Sequence, residues 1–323
     1  MEPVTKKQKP TAHNEDFSFT ISQPKTWETL VEIIQPILQD CHFRVVVNDT
    51  FTGLSMECID SKNVCVVIAK LKGDVVIKDE NKESKLAFCV PVDLLLAHLK
   101  SINPSNSIKV YGDVGGDQLK FKVVSLATGK RIRNFQLCTL NREIQEIDFS
   151  AIDYEYTVDF NLHELRKILR LASGRSVDCP EIRLRILEEM DKHEKYSSFF
   201  LIHIHSEQSY GEYCYQSIID INDSKECKSM TITTGNFEVE EVDTTELKLS
   251  QLNETFNEVF SVSYLHNFIK SLDGNNVVMK LSKEKPLVLT TSLGDEQSYI
   301  SFVLAHRRQD TVIDKITTFF DDR

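Results

Sequence analysis

Apolar residues recur along this chain in two periods. Four stretches carry them at helical spacing: 26–40 (TWETLVEIIQPILQD), 91–102 (PVDLLLAHLKSI), 161–173 (NLHELRKILRLAS) and 263–272 (SYLHNFIKSL). In the first, Leu30, Ile33, Ile34, Ile37 and Leu38 form the stripe. Pro36 lies inside it and predicts a kink or a late start, because proline lacks the N–H that a helix interior needs. In the second, Pro91 falls at the first turn, where that N–H is not needed. Between the four stretches lie segments that alternate or are continuously apolar, among them FRVVV, NVCVVIAKL, SIKVYGD, LKFKVVS, EIRLRIL, FFLIHIH, NVVMKLS, PLVLTT and YISFVLA. Glycine-bearing turn signals separate them: GDVGGD at 112–117, TGK at 128–130, DGN at 273–275 and Gly294-Asp295. Strands therefore predominate over helices, which predicts an α+β fold.

The order is helix, strands, helix, strands, and then the same again. This is a repeat of roughly 65–70 residues, stretched in its third unit. A polar stretch at 137–153 lies at the midpoint. The expected organisation is an arm (1–16), a first domain (17–137), a connector (138–153), a similar second domain (154–306) and a tail (307–323). The extra length of the second half falls in LEEMDKHEKYSS and NDSKECKSMTITTGNFEVEEVDTTELK, which read as surface loops or hairpin extensions.

Composition narrows the function. A chain of 323 residues suggests two domains, and its net charge of -11 argues against a general nucleic-acid coat while leaving room for a local basic face. There is no apolar run of membrane-spanning length. The N-terminus is polar without a signal-like apolar core, and Lys6-Lys7-Gln8-Lys9 reads equally as a nuclear address or a solubilising tail. The eight cysteines are scattered without CxxC spacing and read as reduced, buried thiols of an intracellular protein.

No catalytic constellation emerges, and no cofactor motif. LATGKR lacks the spaced first glycine of a phosphate-binding loop, and GDVGGD reads as a hairpin turn. His203 and His205 would share one strand face and could ligate a metal, but no third ligand stands nearby, which favours an ordinary strand surface. The third helix is more informative. Leu162, Leu165, Ile168, Leu169 and Ala172 make one face, while His163, Arg166, Lys167 and Arg170 fall on the other, with Arg175 just beyond. Lys100 and Lys270 occupy similar points of the repeat in the second and fourth helices. If equivalent helices share a location, these cations share a surface suited to a phosphate backbone and indifferent to base sequence. An ordinary solvated helix face is the alternative.

GLSMECIDSKNVCVVIAKLKG at 53–73 resembles the opening of the proliferating cell nuclear antigen (PCNA) family of sliding DNA clamps. Residues 263–310 resemble that family's last helix and closing strands, with Lys270, the PLV strand and the leucine–alanine pair before a charged tail in matching order. NLHELRKILRLAS is similar to the family's first helix of the second domain. The likeness runs from about Phe17 to Asp310.

The resemblance implies a DNA clamp fold: two similar domains, sheets outside, and four helices lining a ring of three protomers around duplex DNA. It implies a nuclear or viral replication setting, with a DNA polymerase, a clamp loader and other partner proteins. Lys100, Arg166, Lys167, Arg170, Arg175 and Lys270 would face DNA. A partner-peptide pocket would be lined by Ile59, Asn63, Val64, Val66, Pro286, Val303, Leu304, Ala305 and His306, covered by Ile144 and Ile147 of the connector. The chain departs from the family where the first helix carries Glu28, Glu32 and Asp40 with only Lys25, where Asn63 replaces histidine, and where His306 replaces proline. Partners of such clamps carry the peptide Q-x-x-aliphatic-x-x-aromatic-aromatic, the PIP box. Ile313, Ile316, Phe319 and Phe320 of the tail fit that spacing, with isoleucine in place of glutamine. The tail would occupy its own pocket or another clamp's, or pack elsewhere on its own surface. Other readings are a subunit of a mixed, checkpoint-type ring and a clamp-fold accessory factor that does not encircle DNA.

Overall fold

Each of the four helical stretches forms a helix. The computed structural model describes residues 16–78, 86–113, 116–140, 153–174, 181–190, 196–205, 210–218, 228–232, 252–295 and 297–307. Helix α1 (Pro24–Ile34) has its proline at the first turn and stops two residues before Pro36. Pro36 therefore neither kinks nor delays the helix; it terminates it, since Gln35 keeps helical geometry and its amide donates to the Val31 carbonyl oxygen, but Pro36 has no N–H with which to continue the ladder. Helix α2 (Val92–Leu99) takes Pro91 as its extended N-cap. Helix α3 (Leu162–Gly174) is capped by the Asn161 carboxamide oxygen, which accepts the amides of His163 at 2.9 Å and Glu164 at 3.1 Å. Helix α4 is Val262–Ile269. The expected apolar face of α3 is the buried one: Leu162, Leu165, Ile168, Leu169 and Ala172 are all in the core.

The strands repeat in order around these helices. The first half runs β1 (Phe17–Ile21), α1, β2 (Asp40–Val47), β3 (Thr52–Ile59), β4 (Cys65–Lys72), β5 (Asp74–Ile77), β6 (Ala87–Pro91), α2, β7 (Asn106–Gly112), β8 (Gln118–Ser125) and β9 (Arg131–Cys138). The second runs β10 (Tyr156–Asn161), α3, β11 (Glu181–Met190), β12 (Tyr196–His205), β13 (Tyr210–Ile218), β14 (Lys228–Ile232), β15 (Asn253–Ser261), α4, β16 (Asn276–Leu281), β17 (Leu287–Ser292) and β18 (Tyr299–Leu304). A strand thus precedes the first helix of each half, which the periodicity alone did not predict. LEEM and YSS extend β11 and β12 rather than forming loops, and KSMTI of the acidic stretch is strand β14.

Pairing is duplicated as well. In the first half β5-β1-β7-β8-β9 form one sheet and β4-β3-β2-β6 run side by side in another; in the second, β14-β10-β16-β17-β18 and β13-β12-β11-β15 follow the same two orders. The halves differ in that β5 is antiparallel to β1 whereas β14 is parallel to β10. Strands β18 and β4 pair antiparallel, Val303 opposite Val66 and Leu304 opposite Cys65, and fuse two of these groups into a nine-stranded sheet. Their counterparts in the repeat, β9 and β13, stand at sheet edges. One apolar core runs through both halves. In the first half Trp27 of α1 packs edge-on to Phe43 and stacks at 6.0 Å on Phe121, which stacks at 4.4 Å on Phe135 of β9.

The glycines that bound the 53–73 stretch have a steric reason. A Cβ on Gly53 would lie 2.0 Å from the Leu71 carbonyl oxygen, and one on Gly73 would lie 2.3 Å from the Phe19 ring. Neither position has room for a side chain.

Candidate nucleic-acid interface

The four helices pack side by side. Helix α1 touches α2 and α4, and α3 touches α4, giving the lateral order α2-α1-α4-α3. Their outer faces border one hollow of about 760 Å³, lined by residues of all four helices or their ends, including Lys25, Glu32, Gln35, Asp93, Lys100, Arg166, Arg170, Lys270 and Asp273. Lys100, Arg166, Arg170 and Lys270, 170 residues apart along the chain at the extremes, are thereby brought to one surface. Lys167 is exposed on α3, and Arg175 lies outside the described residues.

These cations have different surroundings. The Lys100 ammonium sits 3.1 Å from Glu32 of α1, and that of Lys25 sits 3.0 Å from Glu28. Gln35 donates to the Asp93 carboxylate at 2.9 Å. Arg166 is committed to the fold: its guanidinium donates to the carbonyl oxygens of Leu272 at 2.5 Å and Ile269 at 3.5 Å, closing the C-terminal end of α4. The carbonyls left open by the last turn make that end an acceptor site for a cation. Among the described residues Lys270 donates only to the neutral Asn267, at 3.2 Å. Beside it, His266 is held below its usual pKa by burial and by the fields of Lys270 and Arg170. Sequence reasoning noted the acidity of α1 but not which cation each carboxylate would meet, and it missed His266.

On the sheet, Ile59, Val66, Val303 and Val288 form one row across β3, β4, β18 and β17, by the registers Ile59–Val66, Val66–Val303 and Val288–Val303. Ile59, Val66 and Val288 are half-buried. Val303 is buried, yet stands apart from the main core. Leu304 does not belong to this row. Strand alternation turns it to the opposite face, where it is wholly buried in the core with Cys65. Val64 leans on the core as well. Pro286 and His306 are half-buried, and Asn63 and Ala305 are exposed. Asn63 adopts a left-handed conformation with φ 56° in the β3–β4 turn, which asparagine tolerates. Asp60 organises that turn, accepting the amides of Lys62, Val64 and Cys65 at 3.1, 2.7 and 2.8 Å and the Tyr264 hydroxyl at 2.6 Å. Ile144 and Ile147, and Ile313, Ile316, Phe319 and Phe320, lie outside the described residues.

His203 stands opposite Arg183 in the β11–β12 register, and burial, with Arg185 and Arg183, pushes its pKa down to about 3. Among the described residues no group of three or more His, Cys, Asp or Glu side chains is placed to hold a metal. Cys41, Cys58, Cys65 and Cys89 are buried free thiols, whereas Cys138 is exposed and Cys214 half-buried, contrary to a uniform buried set. No protein-family model matches the chain, and a search of curated proteins found no match.

Proposed function

We propose that this protein is a sliding DNA clamp of the PCNA kind, a ring that holds replication and repair proteins on duplex DNA. One observation carries the proposal: the β18–β4 junction inside the chain joins two elements whose repeat counterparts, β9 and β13, are both sheet edges. A second copy could supply β13 to β9 by the same antiparallel pairing. Head-to-tail contacts of this kind close into a ring when the rotation permits, and they satisfy exposed edges. Three copies are proposed by resemblance to PCNA.

The four helices would then face the hole, with Lys167, Arg170 and Lys270 toward phosphates. The row Ile59, Val66 and Val303 would receive a partner's apolar peptide, such as that of a polymerase or loader. The acidic remainder keeps DNA from sticking outside, so that retention is topological rather than adhesive.

The test has two parts. Light scattering behind a sizing column should give three times 37.1 kDa. Protein loaded on nicked circular DNA should survive a salt wash and leave when the circle is cut. A species of 37.1 kDa at every concentration would overturn the homotrimer and point to a mixed ring. Equal loss from circular and linear DNA would overturn encirclement.

A further inference from the structure

The positive charges on the helical face are not equivalent, and the difference divides along the two halves of the chain. On the first-half side, Lys100 is paired with Glu32 at 3.1 Å and Lys25 with Glu28 at 3.0 Å. Lys25 also feels Glu32, and Asp93 adds a further carboxylate to the same hollow; Asp273, which Lys25 feels too, belongs to the second half, just past α4. The α1–α2 side therefore has as many negative as positive groups or more. On the second-half side, Lys167 and Arg170 are exposed on α3 and Lys270 is exposed at the end of α4. Among the described residues no carboxylate pairs with any of the three. Arg166 is withdrawn from this set by its bonds to Leu272 and Ile269.

We infer that the chain grips the phosphodiester backbone through its second half alone, along a track of Lys167, Arg170 and Lys270, while Glu32 holds Lys100 out of use. The inference rests on the clamp reading and specifies which side of the lining contacts DNA. The physical basis is counterion release. A lone surface cation has condensed phosphate charge to neutralise, and each such contact contributes roughly 0.9 to the slope of log affinity against log salt. A cation whose carboxylate partner sits 3 Å away brings no net charge to the phosphate, and the carboxylate repels it. The weakness of exposed ion pairs does not alter this, because a broken pair leaves its carboxylate in the hollow. In a ring the consequence is a set of evenly spaced phosphate-binding tracks separated by neutral or acidic sectors. DNA would be held off the first-half helices and lean toward α3 and α4.

The experiment measures binding of the full-length protein to a short fluorescent linear duplex across a salt series. Arg170→Ala combined with Lys270→Ala should lower the salt slope by roughly two and weaken binding at low salt at least tenfold. Lys100→Ala should leave the slope unchanged and weaken binding far less than the double variant, only by baring the Glu32 carboxylate. Glu32→Gln frees Lys100 and should raise the slope by roughly one, with tighter binding. Because that last effect is a gain, misfolding cannot produce it. Equal losses from Lys100→Ala and Arg170→Ala, with no gain from Glu32→Gln, would overturn the one-sided track and leave the clamp reading standing. A wild-type protein that binds no duplex at any salt, and is not retained on circles, would overturn both.

Discussion

The Asp60 carboxylate accepts the Tyr264 hydroxyl at 2.6 Å, joining the β3–β4 turn of the first half to the start of α4 in the second. Burial opposes the charged form of Asp60, but the bonds from Tyr264 and from the Cys65, Val64 and Lys62 amides outweigh it and hold its pKa below the ordinary value. Tyr264→Phe should cost about 1.5–3 kcal/mol, the size of a hydrogen bond to a charged group. Asp60→Ala should cost more, because the amides of Val64 and Cys65 lose their acceptor. Urea unfolding midpoints of the two variants check the order. Since the folded pKa is depressed, this contribution is present above the unfolded value and is lost as pH falls through the folded one.

His203 gives a second pH dependence in a milder range. Its folded pKa of about 3 lies below the ordinary value near 6.5. The neutral imidazole is the folded form, so its contribution is complete above pH 6.5 and is lost as pH falls from there toward 3. The expected slope is no more than about 1.4 kcal/mol per pH unit. Unfolding curves between pH 7.5 and 5 should show it, and His203→Gln should flatten it.

The two faces of the β18–β4 pair should respond differently to substitution. Leu304→Ala empties a fully buried core position and should destabilise by about 2–5 kcal/mol. Val66→Glu, on the half-buried row, should melt near wild type. Under the clamp reading a peptide of residues 308–323 binds a chain ending at Arg307, and Val66→Glu abolishes that binding. Fluorescence anisotropy with the labelled peptide is the measurement; no binding to the truncated wild type would remove the tail from this site.

Edge strand β9 presents Ile132 at 57% exposure. Ile132 lies near the start of the strand, at the β8–β9 register shift, and an exposed apolar side chain on an edge of the described sheet suits a partner strand. Ile132→Asp should reduce the assembled mass to that of one chain without lowering the melting temperature of the monomer. Scattering and calorimetry on the same sample separate the two effects.

Helices and core faces were legible because they depend on local spacing: the buried residues of α3 are those its periodicity names. Pro36 was legible as a disruption but not as a terminus, since that depends on where the helix begins, and Pro24 starts it early. Strands β1 and β10 are five and six residues long and too short for a periodic signal to stand out. At the site, gathering the cations on one face followed from the repeat. Their pairing did not. Glu32 and Lys100 are far apart in sequence and meet only because α1 packs on α2, and Arg166 is diverted by carbonyls that no side-chain pattern reveals. Leu304 was misplaced by one step of strand alternation, which is enough to exchange surface for core.

The β18–β4 seam has a mechanical corollary. Its two strands belong to one polypeptide, so separating them gains no translational freedom and dilution cannot open it. A seam between β9 of one copy and β13 of another has no such tether. In a closed ring the joints would therefore differ in durability although their strand pairing is alike. Any gap wide enough to admit a double helix would open between chains, and falling protein concentration alone would favour it.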